Sequence, residues 1–191
     1  MNAKLFSISL LTAGVLLATG SPASASGYKF TDLGLTLDST HLGGYTRATG
    51  INDAGQVVGW SFSSYWGAER SMTVVHAIIW NGTTPTIFAS ESSRYGVGFY
   101  PRAINDSGQV VGDLNHLSYT TALIWNGTTM TDLGTPRWGS ANDINNSGQV
   151  AGSFVTSRGP THAVIWDGTA PESAWQPAID LGTLGGNTSV A

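Results

Sequence analysis

Four consecutive apolar residues close on a tryptophan at three places in the chain: Ala77–Trp80, Ala122–Trp125 and Ala163–Trp166. None of these runs alternates polar with apolar, and none is long enough to lay a stripe along a helix. Short apolar runs bounded by turn residues mark strands buried on both faces. A two-residue turn follows each run, at Asn81-Gly82, Asn126-Gly127 and Asp167-Gly168. Such pairs accept the positive φ angles of a tight hairpin. Ahead of each run stands a second block: INDAGQVVG from Ile51, INDSGQVVG from Ile104 and INNSGQVAG from Ile144. There an Asx-rich turn joins a strand ending in Ile-Asn to one beginning Gln-Val. A third block is TDLG at Thr31–Gly34 and Thr131–Gly134, with IDLG at Ile179–Gly182; Thr86-Ile87-Phe88 takes its place after Trp80.

The blocks recur in one order, and the tryptophans lie 45 and 41 residues apart. Self-similarity at such a period is the signature of a repeat architecture. Each copy parses into four short strands, which predicts an all-β fold of repeated four-stranded antiparallel meanders. The units span about 46–89, 99–134 and 139–182, with an extra N-terminal strand at 28–34. Meanders covered on both faces and repeated every 40 to 45 residues predict β-propeller-like blades. Three blades plus one strand are an incomplete set, and an open stack or sandwich of the same meanders is the alternative. In either arrangement Ile51, Trp80, Ile104, Trp125, Ile144 and Trp166 are the expected repeat core. Gly55, Gly108 and Gly148 are expected at positive φ, where a Cβ is disfavoured.

INDSGQVVG, HAIIW from His76 and the closing DLGTLGG at Asp180–Gly186 together resemble the HAF-family extracellular repeat of bacteria. The resemblance runs from Tyr28 to Ala191. It implies an exported protein, a propeller-like fold and no enzymatic activity. The second copy departs from the pattern, with Thr121 where the others have His76 and His162.

The first 25 residues read as a signal peptide. Lys4 is followed by the apolar stretch Leu5–Leu17 and by the small residues of Ala23-Ser24-Ala25. The stretch is shorter than the roughly 20 residues of a spanning helix. The expectation is a secreted chain, extracellular or periplasmic, with its repeat domain at 26–191 and no membrane span after cleavage. There is no cysteine, hence no disulfide framework and no thiolate metal site. Charged residues make up 10% of the chain and the formal net charge is −4, which argues against a nucleic-acid binder.

No nucleophile elbow, phosphate loop or HExxH pair is present in the sequence. Asp143-Ile144-Asn145-Asn146-Ser147-Gly148 looks like the start of a calcium loop, but Phe154 stands where the bidentate glutamate belongs. The histidines His76 and His162 share one repeat position, as do Asp32, Asp132 and Asp180. The expected roles are structural for the histidines and turn-accepting for the aspartates, with no catalytic residue, metal or cofactor.

Residues that break the repeat carry more information than those that make it. Two stretches of the first unit read as loop insertions, Ser61–Val75 and Ala89–Tyr100. In an up-and-down blade both fall on one face, and binding residues concentrate on loops held by a rigid scaffold. The expected ligand face comprises Tyr65, Trp66, Arg70, Arg94, Tyr95, Arg102, Arg137 and Trp138. Arg47 and Arg158 map to the same side, and Asp53, Asp106, Asp167 and Glu172 to the other. The function expected is a non-catalytic binding module for an extracellular glycan or protein. The alternative is a structural or adhesive repeat acting by self-association, and a secreted hydrolase ranks third.

Overall fold

A computed structural model describes residues 29–34, 44–66, 71–135, 138–157, 159–168, 179–183, 185–186 and 188–191. The signal segment at 1–25 lies outside them. So do Glu69, Arg70, Arg137, Arg158 and Glu172. The sheets all belong to the segment Asp32–Ala191, one of two units into which the chain divides.

The described residues form twelve strands and no helix; no helix among them is long and apolar enough to cross a membrane. The first sheet holds β1 (Gly44–Ile51), β2 (Gln56–Trp66), β3 (Ser71–Asn81) and β4 (Thr84–Ser93). The second holds β5 (Gly98–Ile104), β6 (Val110–Asn115), β7 (Thr120–Trp125) and β8 (Met130–Asp132). The third holds β9 (Gly139–Ile144), β10 (Gln149–Val155), β11 (Thr161–Asp167) and β12 (Ile179–Asp180). Each is an antiparallel meander with its strands in chain order. The fold is therefore the predicted succession of four-stranded units. First strands of neighbouring sheets pack together, β1 on β5 and β5 on β9. The sheets thus converge on their first strands, as propeller blades do.

The core lies between sheets. Val58, Ala77 and Ile79 of the first sheet pack against Ile104, Val110 and Leu123 of the second. The same positions one unit on, Val111, Ala122 and Ile124, pack against Ile144, Val150, Val164 and Trp166 of the third. In the middle sheet this is why the apolar run does not alternate: Leu123 packs toward the first sheet, while Ala122 and Ile124 pack toward the third. Trp80 and Trp166 are buried as expected. Trp125 is half-buried and lies against Phe88, ring centroids 4.4 Å apart. Ile51 corrects the expected core, because it is 68% exposed. Ile104 and Ile144 are covered by the sheet before their own, and the described residues hold no sheet before the first.

Two hydrogen-bond devices set the spacing of the units. The first is a ladder through the Asx turns. Asn52 Nδ2 donates to Asn105 O at 3.0 Å, and Asn105 Nδ2 to Asn145 O at 3.1 Å. Beside it Asp53 N–H donates to Asp106 Oδ1 at 2.8 Å, and Asp106 N–H to Asn146 Oδ1 at 3.0 Å. Each asparagine also accepts the N–H of the glutamine four residues on. Gly55, Gly108 and Gly148 sit at φ 76°, 78° and 80°, as the turn requires.

The second device is a β-bulge. The first strand of every unit shifts register at one equivalent residue, Thr49, Arg102 or Asn142. Opposite the bulge stands the glycine that ends the Gln-Val block: Gly59, Gly112 or Gly152. A Cβ there would collide with the carbonyl oxygen of Arg47, Tyr100 or Ser140. The repeated glycine thus makes room for the bulge.

The extra strand expected at 28–34 is not formed among the described residues 29–34. What survives is its turn. Gly34 N–H donates to Asp32 Oδ1 at 2.8 Å, just as Gly134 does to Asp132 and Gly182 to Asp180. The turn needs only its own residues, whereas a fourth strand needs a third strand beside it. The two expected insertions are also corrected. Residues 61–66 and 71–75 extend β2 and β3 in continuous register, and β4 continues to Ser93. The first unit is a longer blade, and the link to the next one is only 94–97.

Two outcomes test this account. Gly112→Ala should lower unfolding free energy by about 1–3 kcal/mol, the usual cost of forcing extra atoms into a packed site; unchanged stability in a urea titration would contradict the bulge argument. Asn105→Ala, which strands the bonds to both Gln109 and the next unit, should cost on the order of 1–3 kcal/mol. Asn145→Ala should cost less, because Asn145 is exposed and its side-chain bonds among the described residues, to Ser147 and Gln149, stay within its own turn. Equal losses would show that the ladder between units contributes nothing.

Candidate binding site

Where the first strands converge they leave a groove of about 490 Å³. Its walls come from all three sheets. Arg47 and Thr49 of β1, Trp60 of β2, Tyr100 and Arg102 of β5, Asp113 and Asn115 of β6 and Asn142 of β9 line it. Arg47 and Trp60 are cross-strand partners. One unit on, the same two positions are Tyr100 and Asp113, again partners. In the third unit they are Ser140 and Ser153. Strand pairing therefore repeats while the chemistry does not.

The aromatic side is a chain of ring contacts. Tyr45 meets Trp60 edge-on at 5.3 Å between centroids and stacks on Phe62 at 5.6 Å. Trp60 meets Tyr100 edge-on at 4.9 Å. Such contacts hold the indole at a fixed angle. The Tyr100 hydroxyl donates to Gly96 O at 2.9 Å. Burial, and then the neighbouring Tyr45, push its pKa up, so it stays protonated and donating.

The polar side is organised by Asp113, which is only 5% exposed. Its Oδ2 accepts from Arg102 Nε at 2.7 Å and pairs with the terminal guanidinium nitrogen at 2.6 Å. Its Oδ1 accepts the N–H of Ala141 at 3.1 Å, on the first strand of the third unit. A buried carboxylate is tolerated when every strong acceptor is used in this way. The Arg102 side chain, held at one edge, remains 49% exposed. Thr49, at the equivalent bulge, donates to Pro101 O at 2.8 Å. Asn142, at the third bulge, donates to Ala191 O.

The ligand face expected from sequence is described in part. Trp66 ends β2 and is 72% exposed, and the Tyr65 hydroxyl lies 3.2 Å from Ser92 Oγ. The Arg94 guanidinium sits over the Tyr95 ring on the 94–97 link, 5.6 Å from its centroid. Trp138 is exposed, at a φ of 53°. None of these lines the groove; Arg102 does. Arg70 and Arg137 lie outside the described residues, as does Arg158. Arg47 stands on β1 and Arg102 on β5, and Arg102 is tied to a carboxylate. The signal that would have found the site is substitution at fixed repeat positions along the first two strands.

In the third unit the repeated histidine and acid positions meet. His162 Nδ1 lies 2.8 Å from Asp180 Oδ2, so its partner is a carboxylate of the fourth strand. No group of three or more His, Cys, Asp or Glu side chains that could hold a metal occurs among the described residues. The chain matches no protein-family model, no curated protein and no solved structure.

The hydrogen bond from His162, then that from Gly182 N–H, hold the Asp180 carboxyl below its ordinary value. A lowered carboxylate stabilises the fold above the unfolded value of about 3.9 and loses that contribution as pH falls through the folded one. Asp180→Asn should therefore show a smaller fall in melting temperature than the parent between about pH 5 and about pH 2. Parallel acid limbs in thermal melts would remove the link.

Proposed function

We propose that this protein is a secreted, non-catalytic binding module whose first-strand groove takes an extracellular glycan. The observation that carries the reading is the ring pair Trp60–Tyr100, backed by Tyr45, in one open groove that Arg47 and Asn115 also line. Sugars present apolar ring faces and hydroxyl edges together. An aromatic wall takes the faces, and amide and guanidinium groups take the hydroxyls. Asp113 and Arg102 satisfy each other, which suits a fixed binding surface better than proton transfer. The signal-like first 25 residues and the resemblance to the HAF-family extracellular repeat support export.

A second reading is favoured by the outer units. Ile51 of the first sheet and Ile179 and Leu181 of the third unit are large exposed apolar residues. A repeat that joins copies through these faces would act as a structural or adhesive element. Its mass by light scattering would rise with concentration, whereas the binding module stays monomeric.

Trp60→Ala should reduce affinity for any glycan identified on a broad array by about 10- to 100-fold, the loss of one stacked aromatic anchor. Undiminished binding by that variant, or an array without a single hit, would overturn the glycan reading.

A further inference from the structure

The charge balance of the groove selects among glycans. Three ionised side chains line it: Arg47, Arg102 and Asp113. Asp113 is neutralised by Arg102 and by the Ala141 N–H. Arg47 has no ion pair or side-chain hydrogen bond among the described residues, and it is exposed. One guanidinium is therefore left uncompensated on a chain whose formal net charge is −4. It stands cross-strand from Trp60, so fork and indole share one sheet face.

We infer that the groove recognises a uronate-bearing glycan, with the sugar carboxylate on Arg47 and its ring against Trp60. A guanidinium fork matches a carboxylate in a planar, two-point fashion. One free fork beside one aromatic wall suits a carboxylate carried on a sugar ring. A run of phosphates would need a row of cations, and the acidic chain opposes it. Asn115, which also lines the groove and whose side chain has no hydrogen bond among the described residues, offers a donor and an acceptor to sugar hydroxyls. The inference rests on the glycan reading above and adds the charge of the ligand.

Salt is a poor probe here, because it screens the repulsion of an acidic chain as well as the attraction of Arg47. Removing the charge from the ligand is cleaner. The probes are oligosaccharides of galacturonate, glucuronate, mannuronate and guluronate, each paired with its carboxyl-reduced, neutral counterpart. Binding is read by titration calorimetry on the mature chain. At least one acid should bind about tenfold or more tightly than its reduced partner, as a charge-assisted pair predicts. Arg47→Gln, an exposed strand position whose melting temperature serves as the folding control, should erase that preference by weakening the acid about tenfold more than its reduced partner. Equal affinity for every acid and its reduced partner would overturn the inference while the glycan reading stands. So would a preference that survives Arg47→Gln, or hits confined to neutral sugars. If neither acid, reduced sugar nor any other glycan binds, both fail.

Discussion

The side-chain amide of a buried asparagine sets the distance between one unit and the next. Asn105 is 3% exposed and makes three kinds of bond at once. Its carbonyl closes its own turn, its amide holds Gln109, and the same amide reaches the backbone of the next unit. An unpaired amide at that depth would cost more than its bonds return. The turns can therefore stack only at the spacing that satisfies it. That spacing brings neighbouring first strands into contact, and the apolar faces behind them close as a consequence. Association between units is hydrophobic in magnitude, but its register is set by the polar ladder.

The bulge then decides where side chains go. Strand pairing alone would send alternate residues of the first strand to opposite sheet faces. An extra residue opposite a glycine releases one side chain from that alternation. In the three units the released residue is Thr49, Arg102 or Asn142, and all three line the groove. Two of them donate to the backbone of the following first strand or to the chain that runs beside it. The third, Arg102, is diverted to Asp113. The invariant part of the repeat, glycine and turn, thus builds a mount, and the variable part is mounted on it.

Much of the fold was legible because it rests on local or strictly periodic causes. Asn-Gly pairs, the Asx turns and the apolar run before each tryptophan need no knowledge of the neighbouring unit. Ile51 was misread because its burial depends on a neighbour: the residue type repeats and the covering sheet does not. The long hairpin of β2 and β3 was read as a loop because length against the other copies was the only guide. Yet Ser61, Phe62 and Ser63 opposite Val74, Val75 and His76 carry ordinary strand chemistry. The groove was missed for a related reason. Trp60, Asp113 and Ser153 look like scatter along a sequence, and only the stacking of units places two of them in one site.

That placement explains an otherwise expensive choice. Putting Asp113 where the first unit has Trp60 buries a carboxylate between two sheets, and a buried ion pair seldom adds net stability over an apolar pair. Its effect is instead on order. With Oδ2 on Arg102 and Oδ1 on the third unit's backbone, the carboxylate ties β5, β6 and β9 together in the groove lining. The long arginine side chain loses its rotamer freedom before any ligand arrives, and Trp60 is held the same way by Tyr45 and Tyr100. In the proposed glycan groove Arg47 and the Asn115 amide are left to adjust. Ordering done during folding is not charged against binding, so a small open groove can hold a flexible sugar with few contacts.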